Sequence, residues 1–336
     1  MSQPTVRQIV LASRPSGPPK PEDFRLEQVP MPALPPGGLL LKVLYLSLDP
    51  YMRGRMDDRK SYAKPVGIGE VMTGESVCEV IASDRQGYAR GDIVLAHTGW
   101  RTHATWEGPA PRKLDPKLAP ITTGLGVLGM PGFAAYSGLY ILGKPKAGET
   151  VVVAAASGPV GSLVGQLAKM AGARAVGIAG GADKCRYVLD ELGFDACIDH
   201  RAADLPAQLA AACPKGINVG GAIWQAVLPL LNAYARVPVC GLISQYSATG
   251  QDTGPNLLPA TMRAILTKSL TLRGFINTEF VPEHYGDFLK LVSAGLKDGR
   301  IRHREDITEG FENAPAAFMG LLQGKNFGKA LVRVSQ

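Results

Sequence analysis

The residues with the clearest capacity for chemistry lie in VVVAAASGPVGSLVGQLAK, Val151 to Lys169. A β-branched run leads into Ala156-x-Gly158-x-x-Gly161, and a helix-like apolar segment follows. Strand, glycine turn and helix in that order suit a diphosphate. Small residues let the backbone approach the phosphates, and free N–H groups at the helix start bond their oxygens. Gly165, one turn on, would let the helix pack tightly on the sheet. The plainer alternative is a tight strand-to-helix turn that binds nothing.

The second stretch is GIAGGADKCR, Gly177 to Arg186. A dinucleotide-binding chain places a carboxylate about 20 residues after the glycine turn, where it accepts the ribose 2′-hydroxyl and repels a 2′-phosphate. Gly180 and Gly181 occupy that position, and Lys184 follows. The pattern favours NADPH over NADH. His200 and Arg201, after the next strand-like run, could reach the same phosphate, although a solvated surface role suits them equally. Asp183 works against the inference, because it could still accept the ribose.

Other chemistries lack their residues. None of His97, His103, His200, His284 and His303 pairs with a cysteine at zinc-ligand spacing, so no metal site is expected. His97 and His103 sit on strand-like segments and read as hydrogen-bonded structural residues. Cys78, Cys185, Cys197, Cys213 and Cys240 are widely spaced with no C-x-x-C, which fits free thiols in a reducing cytoplasm. The net charge of +7 is spread along the chain, against nucleic-acid binding. No apolar run approaches the ~20 residues of a membrane span.

The elements that must position these residues are of two kinds. The first 50 residues hold ten of the 26 prolines, and short apolar runs between turns suggest a β-rich, barrel-like domain. From about Thr122, strand-like and helix-like segments alternate, as in a parallel sheet covered on both faces. AIWQAVLPLLNAY reads as a helix, ARVPVCGLIS and SLTLRGF as strands, and GKALVRV as a closing strand that returns to the first domain. One strand is nearly missing. Between the helix ending near Cys213 and AIWQAV only PKGINVGG remains, shorter than the usual ~5–6-residue strand.

Together with LSLDPYMRGRM (Leu46 to Met56), VPVCGLISQY (Val237 to Tyr246) and FENAPAAFMGLLQGKNFGK (Phe311 to Lys329), these stretches give a resemblance over nearly the whole chain. The sequence resembles the zinc-independent medium-chain dehydrogenase/reductases, in the leukotriene B4 12-hydroxydehydrogenase/prostaglandin reductase branch, and is similar to the bacterial NADPH-dependent curcumin reductases. The resemblance implies an α/β architecture: a GroES-like β-rich catalytic domain (residues 1–122 with 300–336) plus a Rossmann doubly wound parallel sheet domain (123–299). It implies that Gly158, Pro159, Val160 and Gly161 hold the pyrophosphate and that Lys184 meets the 2′-phosphate. Cys240, Gly241, Leu242, Ile243, Ser244, Gln245 and Tyr246, with Phe275, Ile276 and Asn277, would line the nicotinamide. Asn326 and Asn218 match cofactor contacts, and His200 stands where some relatives carry a tyrosine on the cofactor. About five residues ahead of Asn218 are missing relative to the family pattern. A homodimer is the implied assembly, with a monomer as the alternative.

The family reduces the C=C bond of α,β-unsaturated ketones and aldehydes with NADPH. Negative charge then builds on the carbonyl oxygen and needs a preorganised donor, and the α-carbon later needs a proton. Tyr246, at the carboxyl end of a strand, is the first candidate donor. Tyr51 and Tyr62, from the other domain, could wall the cleft or bond the carbonyl, and a small apolar enone is the expected substrate. The alternatives are a quinone reductase, an alcohol-oxidising relative, or an NADPH-binding protein whose shortened strand has removed catalysis.

Overall fold

The computed structural model describes residues 4–219, 223–248 and 256–335, which fall into two compact units. The first unit takes residues up to 125, residues 242–248 and those from 305 onward; the second takes the rest.

The first unit opens with an antiparallel ribbon of β1 (Thr5–Leu11) and β2 (Phe24–Pro30). The long apolar β3 (Leu39–Ser47) is followed by a one-turn helix α1 (Tyr51–Arg55), then β4 (Ser76–Ser83), β5 (Ile93–Ala96), β6 (His103–Trp106) and β7 (Arg112–Leu114). β3 pairs with β4 along one edge and with β6 at its start on the other. The core gathers around the buried Trp100, stacked on Phe24 and edge-on to Phe318 at 5.7 Å each.

The second unit begins with α2 (Met130–Tyr136) and continues as β8 (Thr150–Ala154), α3 (Gly161–Met170), β9 (Arg174–Ala179), α4 (Ala182–Arg186), β10 (Ala196–Asp199), α5 (Leu205–Ala212) and β11 (Ile217–Val219). It closes with α6 (Trp224–Val227), β12 (Leu231–Val239), α7 (Leu258–Lys268), β13 (Thr271–Gly274) and α8 (Val281–Lys297). The six strands are all parallel, in the order β10-β9-β8-β11-β12-β13. Counted from β8, this is the 3-2-1-4-5-6 order of dinucleotide-binding sheets, which opens a crevice at the carboxyl ends where the order reverses. The chain then returns to the first unit as β14 (Glu305–Glu309), α9 (Ala314–Leu322) and β15 (Lys329–Arg333), with β15 antiparallel to the end of β3.

One sequence expectation needs correction. AIWQAVLPLLNAY is not one helix: α6 lasts a single turn, Leu228–Leu230 form a 3-10 turn, and β12 already starts at Leu231. The cause is the stub strand. Three-residue β11 pairs Ile217 with Leu231 and Val219 with Arg236, so two steps along β11 match five along β12. The surplus backbone of β12 is bulged, and Tyr234 stands at φ 61° within it. Ile223, just before α6, is at φ 56°. Left-handed conformations cost a side-chain-bearing residue roughly 1–2 kcal/mol each, more for a β-branched one. The strain thus collects beside the short strand.

Candidate active site

In the second unit the glycine turn leaves β8 through Ala155, at φ 48°, and enters α3 at Gly161. The Gly158 N–H donates to the Ala155 carbonyl (2.8 Å) and Ser162 N–H to the Gly158 carbonyl (3.0 Å), closing the turn. A β-carbon on Gly161 would lie 2.4 Å from the Ala155 oxygen and 2.9 Å from that of Ala154. Both are backbone atoms, so only glycine fits. Gly165 faces the Phe194 ring at a distance that leaves no room for a methyl group, which confirms the tight helix packing. Pro159 and Val160 complete the loop before the helix and are half-buried.

The end of β9 forms the second part. Gly181 stands at φ 95°, and its N–H donates to Asp199 Oδ1 at 3.0 Å. Asp199, at the end of β10, also accepts the Arg201 N–H at 3.0 Å. These backbone donors, with His200 and Arg201 nearby, hold its carboxyl below the usual range. Sequence reasoning missed Asp199; its place at the end of the third strand, facing the glycine pair, was the available signal. It fixes the turn and orients the residues after β10. His200 Nε2 lies 2.8 Å from where a Gly180 β-carbon would sit, and Arg201 Nη2 lies 3.5 Å from it. Arg201 Nη1 lies 3.6 Å from the corresponding point on Gly181. Both side chains are exposed above the glycine pair, and half-buried Lys184 is on α4. Asp183, the carboxylate that could have served a ribose, is paired with Arg186. A side-chain-free glycine pair with two donor side chains packed directly over it fits a dinucleotide bearing an additional phosphate.

Asn218 is placed elsewhere. Its carbonyl oxygen accepts the Thr150 N–H (3.1 Å) at the start of β8, whereas the glycine turn follows the end of that strand. Asn218 falls in the middle of three-residue β11, level with the amino end of the sheet, and its side-chain oxygen caps a strand there. Cys240 and Gly241 are exposed after β12. The chain continues through exposed Leu242, Ile243 and Gln245 to half-buried Tyr246, in the first unit; the Ser244 side chain lies outside the described residues. In the second unit Phe275 is buried, Ile276 is exposed and Asn277 Nδ2 donates to the Met130 carbonyl at 3.0 Å. In the first unit Asn326 Nδ2 donates to the Gly328 carbonyl at 2.8 Å.

The first unit brings Tyr51 and Tyr62 together. The Arg55 guanidinium lies 4.2 Å from the centre of the Tyr62 ring and 5.9 Å from that of Tyr51, and Arg55 Nη1 donates to the Ala63 carbonyl at 2.9 Å. A cation on two aromatic faces holds both rings. Behind Tyr51, buried Lys329 donates to Asp49 Oδ1 (2.9 Å) and the Leu48 carbonyl (2.7 Å), while Ser47 donates to the other Asp49 oxygen. Burial, and then the charge of Asp49, push the half-buried Glu75 carboxyl up to about 7, against the pull of Arg112 and Lys329. A carboxyl raised above its ordinary 4.5 stabilises the fold fully below that value, and the contribution is lost as pH rises through about 7. Glu75→Gln is therefore expected to melt higher than wild type at pH 8, by roughly 3 °C or more, and to lose that advantage at pH 4.5. Parallel melting curves across that range would refute the assignment.

Comparisons with known proteins place the chain in a family. A family model described as "N-terminal domain of oxidoreductase" matches residues 7–114, and one described as "Zinc-binding dehydrogenase" matches residues 159–294. The NADPH-dependent curcumin reductase of Escherichia coli is 51% identical over 334 residues, covering 98% of this chain and 97% of the relative. Prostaglandin reductase 1 of Bos taurus is 38% identical over 327 residues, covering 94% and 95%. The chain belongs to the zinc-independent medium-chain dehydrogenase/reductases. The crystal structure of CurA from Vibrio vulnificus in complex with NADPH superposes with a TM-score of 0.95 at 50% identity, covering 98% of this chain and 99% of that one. The GroES-like and Rossmann units are those of this family. Although the second family model carries zinc in its name, no three of His, Cys, Asp and Glu gather as a ligand set among the described residues.

Proposed function

We infer that the chain is an NADPH-dependent reductase of the C=C bond of α,β-unsaturated ketones and aldehydes. What carries the reading is the carboxylate-free Gly180–Gly181 turn with His200 and Arg201 packed directly over it, in a chain half identical to a curcumin reductase. The amides around Gly158, Pro159, Val160 and Gly161 hold the diphosphate, and Lys184, His200 and Arg201 hold the 2′-phosphate. Residues 240–246, with Phe275, Ile276 and Asn277, border the nicotinamide, and Asn326 adds a polar contact. Asn218 is left out of this set because it serves the start of β8. When bound, the dinucleotide supplies a hydride to the substrate β-carbon.

The protein must then stabilise an oxyanion and deliver a proton. Tyr246 donates a hydrogen bond from its hydroxyl to the carbonyl oxygen. Tyr51 and Tyr62, held around Arg55, face the substrate from the first unit. Leu242 and Ile243 keep 46% and 44% of their surface exposed, which favours an apolar ligand. The same reading takes the chain as a cytoplasmic homodimer, with all five cysteines as free thiols.

Two hydride acceptors and one donor test this function. NADPH oxidation is expected with an enone and at most weakly with a quinone or, in reverse, a secondary alcohol. Tyr246→Phe is expected to lower kcat on enones by about 100-fold, the effect of losing one oxyanion donor. An unchanged kcat would remove Tyr246 from that role, and NADPH binding without turnover on any enone would leave a binding protein.

A further inference from the structure

The Tyr51 hydroxyl is the start of a connected path within the first unit. It lies within hydrogen-bonding reach of the Thr73 hydroxyl, just ahead of β4. Thr73 Oγ1 lies 3.0 Å from Nε2 of His97, the residue after β5. His97 is exposed, so the path ends at solvent. Its other face is crowded: desolvation lowers its pKa, Arg55 lowers it further and Asp49 opposes them. The ring is therefore neutral at neutral pH, with one nitrogen able to donate and the other to accept. Hydroxyl, hydroxyl and imidazole each give and take a proton.

We propose that Tyr51, Thr73 and His97 form a proton relay that carries a solvent proton to the α-carbon of the reduced enone. The proposal rests on the functional reading above, in which Tyr51 faces the substrate. The bookkeeping closes. The α-carbon gains a C–H bond as the Tyr51 O–H breaks; Tyr51 takes the Thr73 hydroxyl proton; Thr73 takes the Nε2 proton of His97; and His97 Nδ1 takes one from water. The imidazole ends neutral as its other tautomer and resets by exchange with water. No charge is left behind on Tyr51.

That last point is why a relay is needed. Burial and the nearby carboxylates of Asp49 and Glu75 hold the Tyr51 phenol well above its ordinary pKa, with a smaller contribution from Tyr62. A phenolate at this position would face two acidic groups in a crowded site. Proton replacement from Thr73 as Tyr51 gives up its own avoids that state. Thr73 and His97 are thus positioning residues for proton delivery, acting through Tyr51.

The test compares Tyr51→Phe, Thr73→Val, Thr73→Ser and His97→Ala, each with NADPH affinity measured by fluorescence as a check on folding. Thr73→Val and His97→Ala are expected to lower kcat on an enone by about 10–100-fold, within the range of general acid catalysis. Thr73→Ser is expected to restore most of the rate. Added imidazole is expected to rescue His97→Ala, and substituted imidazoles to rescue it in the order of their pKa, which a purely structural histidine would not produce. The relay is overturned if Thr73→Val and His97→Ala keep the wild-type kcat, or if slow His97→Ala ignores every imidazole. A slow Tyr51→Phe beside normal Thr73→Val and His97→Ala sinks the relay alone. A wild-type Tyr51→Phe sinks both the relay and the substrate-facing role of Tyr51.

Discussion

Gly161→Val is expected to abolish dinucleotide binding, raising the Kd for NADPH by at least about 100-fold, or roughly 2.7 kcal/mol. The first added carbon alone would stand 2.4 Å from the Ala155 oxygen and 2.8 Å from its carbonyl carbon. Neither atom belongs to a side chain that can swing aside. The turn must open, and the N–H groups at the start of α3 then cease to converge on one point. Fluorescence titration with NADPH measures the effect. Gly286→Ala is the matched control. It lies inside α8 with nothing within 4 Å of its would-be β-carbon, and is expected to leave the Kd unchanged while stabilising the helix by about 1 kcal/mol. A wild-type Kd for Gly161→Val would mean that the dinucleotide is bound elsewhere.

The second large effect concerns which dinucleotide is accepted. Lys184→Ala combined with Arg201→Ala is expected to weaken NADPH by about 100-fold and NADH by less than about threefold. The Arg201 guanidinium lies above the glycine pair at 3.5 and 3.6 Å from the positions that side chains would occupy. Among the described residues, Asp183 is engaged with Arg186, and Asp199 accepts the Gly181 and Arg201 amides. A phosphate with a charge of about −1.5 to −2 would be met there by the Arg201 and Lys184 cations. Equal losses for the two dinucleotides would show that the pair acts on something common to both.

These effects rest on features of unequal visibility in the sequence. The glycine turn and the parallel character of the sheet can be read directly, because glycine spacing and strand–helix alternation are local patterns. Short β11 was visible as a gap, but its consequences were not. The loss of α6 to β12 and the retreat of Asn218 to the start of β8 depend on pairing between strands distant in sequence. Helix α8 went unread because Pro282, Gly286 and Gly295 interrupt its pattern, yet a proline in the first turn is a start signal and Gly295 packs against Ile301. The LSLDPYMRGRM motif mixed two roles that only the fold separates. Arg53 is buried and bonded to the Pro15 and Gly17 carbonyls, a structural task, whereas Arg55 gathers Tyr51 and Tyr62. Thr73 and His97 carry no motif. They join Tyr51 because β4 and β5 are neighbours, and His97, expected to be a structural residue, ends that path.

The measurement closest to the centre of this account is the position of deuterium after turnover of an enone with NADPH deuterated at the transferable position. The account predicts a saturated ketone with the label on the β-carbon, and no detectable product when the correspondingly labelled NADH is supplied at the same concentration. Label on the carbonyl carbon of an allylic alcohol, or equal product from NADH, would contradict it.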